Sequence, residues 1–254
     1  MATPQLVHIP FSPWSRRVSL ALTHAGIDVR LRPYTPTLSE PWLRARLRRL
    51  RGPVTVPVLL RDDGPPLTDG WDILCWAQQQ GAELWSDDAQ AQVKQWHERA
   101  SHALQAGRLR TTHAVLADRD ALTASLPPPI ARLGAVGRAI GRDASRRLLR
   151  KYGPLGGDSP EAWSEALSSY ADQLWQAVSD AGGDHLLGVP SYADLAAAVG
   201  LSFVLPDPAA PISRRARGAW IHDEVASRHA ELLAWRDRVM RAWGAVPRSP
   251  EERR

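Results

Sequence analysis

LVHIPFSPWSRRVSLALTHAG, residues Leu6–Gly26, decides how the rest of the chain is read. Leu6-Val7-His8-Ile9 is an apolar run rich in strand formers and too short for a helix. Pro10-Phe11-Ser12-Pro13 is a turn. Apolar residues then return at helical spacing (Val18, Leu20, Ala21, Leu22, Ala25), and Gly26 supplies a C-terminal stop. The unit is a strand, a tight loop and a helix. Pro13 suits the first helical turn, where its missing N–H would have had no partner. Ser12 and Ser15 stand at the helix N-terminus, where unpaired N–H groups and the helix dipole favour an anion.

Working outward, Asp28–Tyr34 alternates polar and apolar residues and reads as a second strand. Ser39 is placed to cap a helix with Pro41 and Trp42 in its first turns. That helix runs to Leu50, is dense in arginine (Arg44, Arg46, Arg48, Arg49) and ends at Gly52-Pro53. Val54–Leu60 reads as a buried strand with Pro57 inside it. A proline cannot donate to a sheet ladder, so this one needs an edge position or a special backbone such as a cis peptide. Asp62–Pro66 is a hairpin turn, Leu67-Thr68 begins a fourth strand, and Asp69-Gly70 leads into a helix stopped by Gly81. The order is β-α-β-α-β-β-α.

Beyond a linker at Gly81–Ser86 the pattern is helical throughout. Ala89–Ala117 carries apolar residues at helical spacing. Leu126-Pro127-Pro128-Pro129 breaks the run, and Arg132–Lys151 is basic and dotted with glycine. A loop covers Gly153–Pro160, and Ser159-Pro160-Glu161 opens a long helix through Ala181. Ser191 and Asp194 form an aspartate version of the capping box before a helix, Leu195–Leu205, that is apolar all round and so expected to be buried. Glu224–Trp243 makes the closing helix. The expected division is 1–81, an α/β domain; 82–87, a linker; 88–246, an all-helical domain; and 247–254, a frayed tail.

The 254 residues suffice for a full core, and 44% hydrophobic with 23% charged residues is a globular composition. The single cysteine, Cys75, excludes an internal disulfide and a cysteine-based metal cluster; it reads as an inert core thiol. The longest apolar stretch falls well short of the roughly 20 residues that span a bilayer, and the N-terminus lacks a signal-peptide layout. A soluble, cytoplasmic protein without a membrane partner is expected. The net charge of +5 comes almost wholly from arginine with acids interspersed. No aromatic-studded basic motif is present, so nucleic acid is not an expected partner, although Arg132–Lys151 remains a candidate polyanion surface.

The element order, the serine motif after the first strand and Val56-Pro57 opening the third resemble the thioredoxin-like N-terminal domain of the glutathione S-transferase superfamily. Ser12-Pro13-Trp14-Ser15 stands where thioredoxins and glutaredoxins carry Cys-Pro-x-Cys. The S-x-x-D cap at Ser191 resembles that of the central helix in the family's C-terminal domain. The resemblance implies a thioredoxin-like βαβαββα domain followed by a helical bundle, with Pro57 in the cis form. It implies that the Val56 backbone meets the cysteinyl part of glutathione. The family holds the γ-glutamyl end with an acidic or amide residue followed by serine; here the pair is Asp69-Gly70, without the hydroxyl. Arg44 or Arg48 would meet the glycine carboxylate.

The implied activity is that of a detoxification-type transferase that ionises the glutathione thiol and passes it to a small, largely apolar electrophile. Ser12 or Ser15 would donate to the sulfur, and Trp14, Trp96, His97 and His113 would face the cleft between domains. Glutathione is the implied co-substrate, no metal is expected, and a homodimer is the implied assembly. The competing reading is a non-catalytic module that keeps the fold for protein or ligand binding.

Overall fold

The computed structural model describes residues 3–36, 38–126, 128–153 and 159–244. Strand β1 (Gln5–His8) is buried along its whole length. It lies between β2 (Arg30–Pro33), parallel to it, and β3 (Val58–Leu60), antiparallel, in the order β2-β1-β3. Leu6 stands opposite Leu31 on one side and Leu59 on the other, which fixes the register. Helix α1 (Pro13–His24) is the crossover that makes β1 and β2 parallel. β2 is an edge strand exposed at all four positions, and Arg30, Arg32 and Pro33 guard that edge against further pairing.

The sheet is smaller than the sequence pattern predicts. The run Val54–Leu60 contributes only three residues to the ladder, because Pro57 has no N–H and the Val56–Pro57 peptide is cis. The expected fourth strand at Leu67-Thr68 is a single bridge, in which Leu59 N–H donates to Leu67 O at 2.9 Å and Leu67 N–H returns a bond at 3.0 Å. Helix α2 (Glu40–Arg46) is likewise shorter than predicted. Ser39 Oγ does not cap it but accepts from Thr35 N–H at 3.0 Å, closing the preceding turn. Helix α3 (Gly70–Gln79) follows, and Gly81, at φ +91°, lets the chain leave it.

The remainder is helical: α4 (Gln90–Ala117), α5 (Arg119–Ser125), α6 (Pro128–Ala131), α7 (Ala135–Tyr152), α8 (Pro160–Asp180), α9 (Tyr192–Gly200), α10 (Arg214–Arg217), α11 (Asp223–Arg228) and α12 (Ala230–Ala242). A thioredoxin-like N-terminal layer followed by a helical bundle is therefore the architecture. Ser159 Oγ caps α8 by accepting from Ala162 N–H at 3.2 Å. All nine residues of α9 are buried, and it ends in a 3-10 turn, Leu201–Phe203, before the predicted Leu205. The closing helix is broken at His229, whose backbone leaves the helical region, into α11 and α12. Pro127, most of the Gly153–Pro160 loop and the 247–254 tail lie outside the described residues. Among the described residues no helix is long and apolar enough to cross a membrane.

One hydrophobic cluster joins the two parts, running from Leu6, Val18 and Leu22 through Leu104 and Leu195 to Trp235. Helix α4 packs on α8 and α9, and α9 packs in turn on α1 and α12. The N-terminal layer is thus seated directly on the buried central helix of the bundle.

Candidate functional site

The loop between β1 and α1 is closed by Ser12 N–H donating to Ile9 O at 3.0 Å, and the first helical bond runs from Arg16 N–H to Ser12 O at 2.8 Å. Ser12 is the N-cap of α1 with an extended backbone, yet its hydroxyl makes no capping bond, and the residue is half-buried. Ser15 differs. It is fully buried, and its Oγ accepts from Ile9 N–H at 3.2 Å. The expectation that either serine could meet a ligand is corrected here: Ser15 braces the loop, and Ser12 alone of the two reaches solvent.

Three further elements meet around Val18, in the second turn of α1. A Cβ built on Gly70 would lie 3.3 Å from Val18 Cγ2 and 3.9 Å from both Pro57 Cγ and His97 Cε1. The start of α3, the cis-proline loop, α1 and α4 therefore converge. Val56 lies just outside the ladder, whose last pair on that side is Val7–Val58. Asp69 is exposed and caps α3 through Oδ1, which accepts from Trp71 N–H at 2.8 Å.

Behind Gly70 lies a buried polar cluster. The Arg17 guanidinium, only 3% exposed as a residue, donates from Nη2 to His97 Nε2 at 2.9 Å and to Ser101 Oγ at 2.9 Å, and from Nη1 to His97 O at 3.2 Å. Arginine only donates, so His97 Nε2 must be the acceptor. The ring proton is then on Nδ1, 2.9 Å from Tyr192 Oη. Burial, together with Arg17 and Lys94, pushes the His97 pKa down to about 2, so the imidazole is neutral. Among the described residues no carboxylate pairs with Arg17. The Trp71 and Trp85 rings stack at 5.1 Å over this cluster, and Trp71 meets His97 edge-on at 5.4 Å.

On the other flank of Ser12 is an aromatic group that no local sequence signal marks. The chain's two phenylalanines both belong to it. Phe203 stacks on Trp220 at 4.5 Å, Phe11 meets Trp220 edge-on at 6.5 Å, and Trp14 lies 6.5 Å from Phe203. Arg108 stands 4.5 Å from the Trp14 ring centre and 3.6 Å from that of Tyr152. Gly107 makes the close approach possible, because a Cβ there would come 2.3 Å from Phe203 Cβ.

Residues 11–80 match the family model of the glutathione S-transferase N-terminal domain. The same architecture recurs over nearly the full chain in solved structures. A glutathione transferase, GSTFuA2, from Phanerochaete chrysosporium superposes with a TM-score of 0.63 at 15% identity, covering 96% of this chain and 98% of that one. The beta-etherase LigF from Sphingobium sp. strain SYK-6 gives 0.60 at 16% identity, covering 94% and 95%. A glutathione S-transferase from Methylobacterium radiotolerans, solved with glutathione sulfonate, gives 0.55 at 17% identity, covering 98% and 96%. Residues 11–80 thus carry a glutathione S-transferase-type N-terminal domain, and the whole chain shares the fold of these structures. At these identities the structural likeness carries the fold alone, and no curated protein matches the chain in sequence.

Within this transferase fold the residues singled out from sequence separate into two groups. Pro57 and Gly70 meet α1 at Val18, with Val56 and Asp69 next to them in the chain, and Ser12 and Trp14 stand at the start of the same helix. The others lie elsewhere. His97 and Trp96 are buried, so neither lines an open cleft as expected; His97 instead joins α1 to α4 and α9. His113 is exposed, sits edge-on to Trp163 at 6.0 Å, and lies sixteen residues beyond His97, ~24 Å along α4. Arg44 pairs with Glu40 at 2.7 Å and donates to Gly52 O at 2.9 Å, tying the arginine-rich turn to its own helix. Cys75 is half-buried, and burial raises its thiol pKa, as suits an unreactive cysteine. Among the described residues no three metal-ligating side chains converge.

Proposed function

We propose that the chain is a glutathione transferase in which the N-terminal layer, residues 1–81, holds glutathione and Ser12 donates its hydroxyl to the ionised thiol. The observation that supports this is the uncommitted Ser12 hydroxyl at the N-cap of α1, the helix on which the cis-proline loop and the start of α3 converge. A hydrogen bond to a charged acceptor supplies about 1.5 kcal/mol and a helix N-terminus about 0.5 kcal/mol. Together they lower a thiol from about 8.5 to near 7, at about 1.4 kcal/mol per unit. Ser12 is then a donor and neither a base nor a nucleophile.

The other ends of glutathione find partners of the right kind. Val56 lies outside the ladder and offers its backbone to the cysteinyl part. The first N–H groups of a helix lack intrahelical partners, and at α3 the Trp71 N–H is taken by Asp69, which leaves Gly70 N–H and the second Asp69 oxygen for the γ-glutamyl end. Phe11, Trp14, Phe203 and Trp220 provide an apolar wall for an electrophile, with Arg108 beside it.

The test is retention on glutathione resin and the rate of conjugation of an aromatic halide, wild type beside Ser12→Ala. The substitution is expected to lower the rate roughly tenfold at pH 7 and less at pH 9, where the thiol ionises unaided. Wild type that is neither retained nor thermally shifted by millimolar glutathione overturns the reading. Gly70 in place of the family's serine favours the alternative, a non-catalytic module, and wild type that binds glutathione without turnover of any electrophile supports it.

A further inference from the structure

Helix α7 concentrates the charge of the molecule. Residues 132–151 hold seven basic side chains and one acid, Asp143, a net +6, while the entire chain carries +5 and everything outside the segment sums to −1. The helix is fixed to the body on one face only. A Cβ on Gly137 would strike Ile130 O at 2.0 Å, and one on Gly141 would strike Leu126 Cδ2 at 2.6 Å, so these glycines let α7 lie hard against α5 and α6. Further along, Leu149 and Tyr152 pack against Ala106, Leu109 and Trp163. The flank about 100° round from the glycines is open. There Val136 and Ile140 are 63% and 45% exposed, and Leu133, in the turn just before the helix, is 54% exposed. Arg147 and Lys151, seven and eleven residues beyond Ile140, continue the same flank at helical spacing.

We infer that α7 is a docking face for an anionic lipid bilayer. Exposed aliphatic side chains inside a field of arginines match the acyl and headgroup zones of an acidic membrane surface at once. A second copy of this chain fits poorly, because a two-fold contact would set one strongly basic helix against another. A nucleic acid would satisfy the arginines but leave Leu133, Val136 and Ile140 without an apolar partner. This inference does not rest on the transferase reading; of α7 only its last residue, Tyr152, reaches the aromatic group beside Ser12, through Arg108.

Co-sedimentation tests it, using the whole chain with vesicles of phosphatidylcholine containing about one-quarter phosphatidylglycerol, at about 0.1 M salt. Binding to these vesicles and not to pure phosphatidylcholine is expected. Neutralising the two basic residues of this flank, Arg147→Gln with Lys151→Gln, lowers binding roughly 30-fold, at a factor of about 5 per charge. Val136→Glu with Ile140→Glu lowers it roughly tenfold or more and leaves the thermal midpoint and glutathione retention unchanged. Absence of vesicle binding overturns the inference. So does binding that survives Val136→Glu with Ile140→Glu, capture of a short DNA duplex in place of vesicles, or a dimer that these substitutions dissolve without any lipid binding.

Discussion

Ser12 and Ser15 are three positions apart, and that interval decides which hydroxyl a ligand meets. Ser15, Val18 and Leu22 recur at i, i+3 and i+7 and share the buried face of α1, so the fate of Ser15 was legible in the helical phase. Ser12 precedes the helix and escapes it. Gly70 is the residue at which this chain departs from the family motif, and it yields a prediction. Gly70→Ser restores a hydroxyl where the γ-glutamyl carboxylate is proposed to sit, and is expected to tighten glutathione binding about tenfold, the worth of one charge-assisted hydrogen bond. The new Cβ meets Val18 Cγ2 at 3.3 Å, so a small shift of that methyl is required, and the thermal midpoint is expected to drop slightly. Calorimetric titration with glutathione reads the affinity, and an unchanged constant would remove the γ-glutamyl assignment from the start of α3. Other features of the site were closed to local reading. Arg17 and His97 are 80 positions apart, and His97 and Tyr192 are 95 apart. Sequence spacing shows neither their meeting nor the gathering of Phe11, Phe203 and Trp220.

Elements with strong local signals came through from sequence with their ends nearly intact. α4 follows apolar periodicity, and α8 follows periodicity and its Ser159 cap; β3 and α2 fell short, because prolines and tertiary contacts set their limits. The break at His229 left no mark that the periodicity of Glu224–Trp243 could show. The clearest local device is the entry to α9. Asp194 is fully buried and accepts from Ser191 N–H at 3.0 Å and from Leu186 N–H at 2.8 Å, with His185 Nδ1 at 3.3 Å. Burial raises its carboxyl pKa while these bonds oppose the rise. One side chain therefore satisfies an orphan donor of the helix and pins the preceding loop. Asp194→Ala leaves two buried N–H groups unpaired, at about 1.5 kcal/mol each, so a loss of about 3 kcal/mol is expected. Urea unfolding followed by circular dichroism measures it. A loss under about 1 kcal/mol would mean that water replaces the carboxylate.

At the scale of the molecule, α1 is the seam. Arg16 pairs with Asp207, Arg17 binds α4, and the His24 ring meets Trp243 at a tilt, 4.2 Å between centres, so successive turns of one N-terminal helix are tied to the helical bundle. With one apolar cluster running through both parts, the two are expected to unfold together, and fluorescence from the eleven tryptophans should coincide with the loss of helix signal. The seam also carries a titrating group. His97 has a folded pKa of about 2 against about 6.5 when unfolded. Above pH 6.5 neither state binds the proton and the site adds no pH dependence. Below it the unfolded chain takes up a proton that the folded chain refuses, and stability falls by about 1.4 kcal/mol per pH unit. Between pH 7 and pH 5 the loss is about 2 kcal/mol, or about 5 °C in thermal midpoint for a chain of this size. Burial lowers His8 and His222 as well, which adds to the slope, while the raised Asp194 works against it at lower pH. The informative quantity is therefore a difference. His97→Gln keeps an oxygen for Arg17 and an N–H for Tyr192 but cannot titrate, so its thermal midpoint should fall about 5 °C less than that of wild type between pH 7 and pH 5. Equal falls in the two proteins would place the acid sensitivity outside the seam and leave His97 a bystander to it.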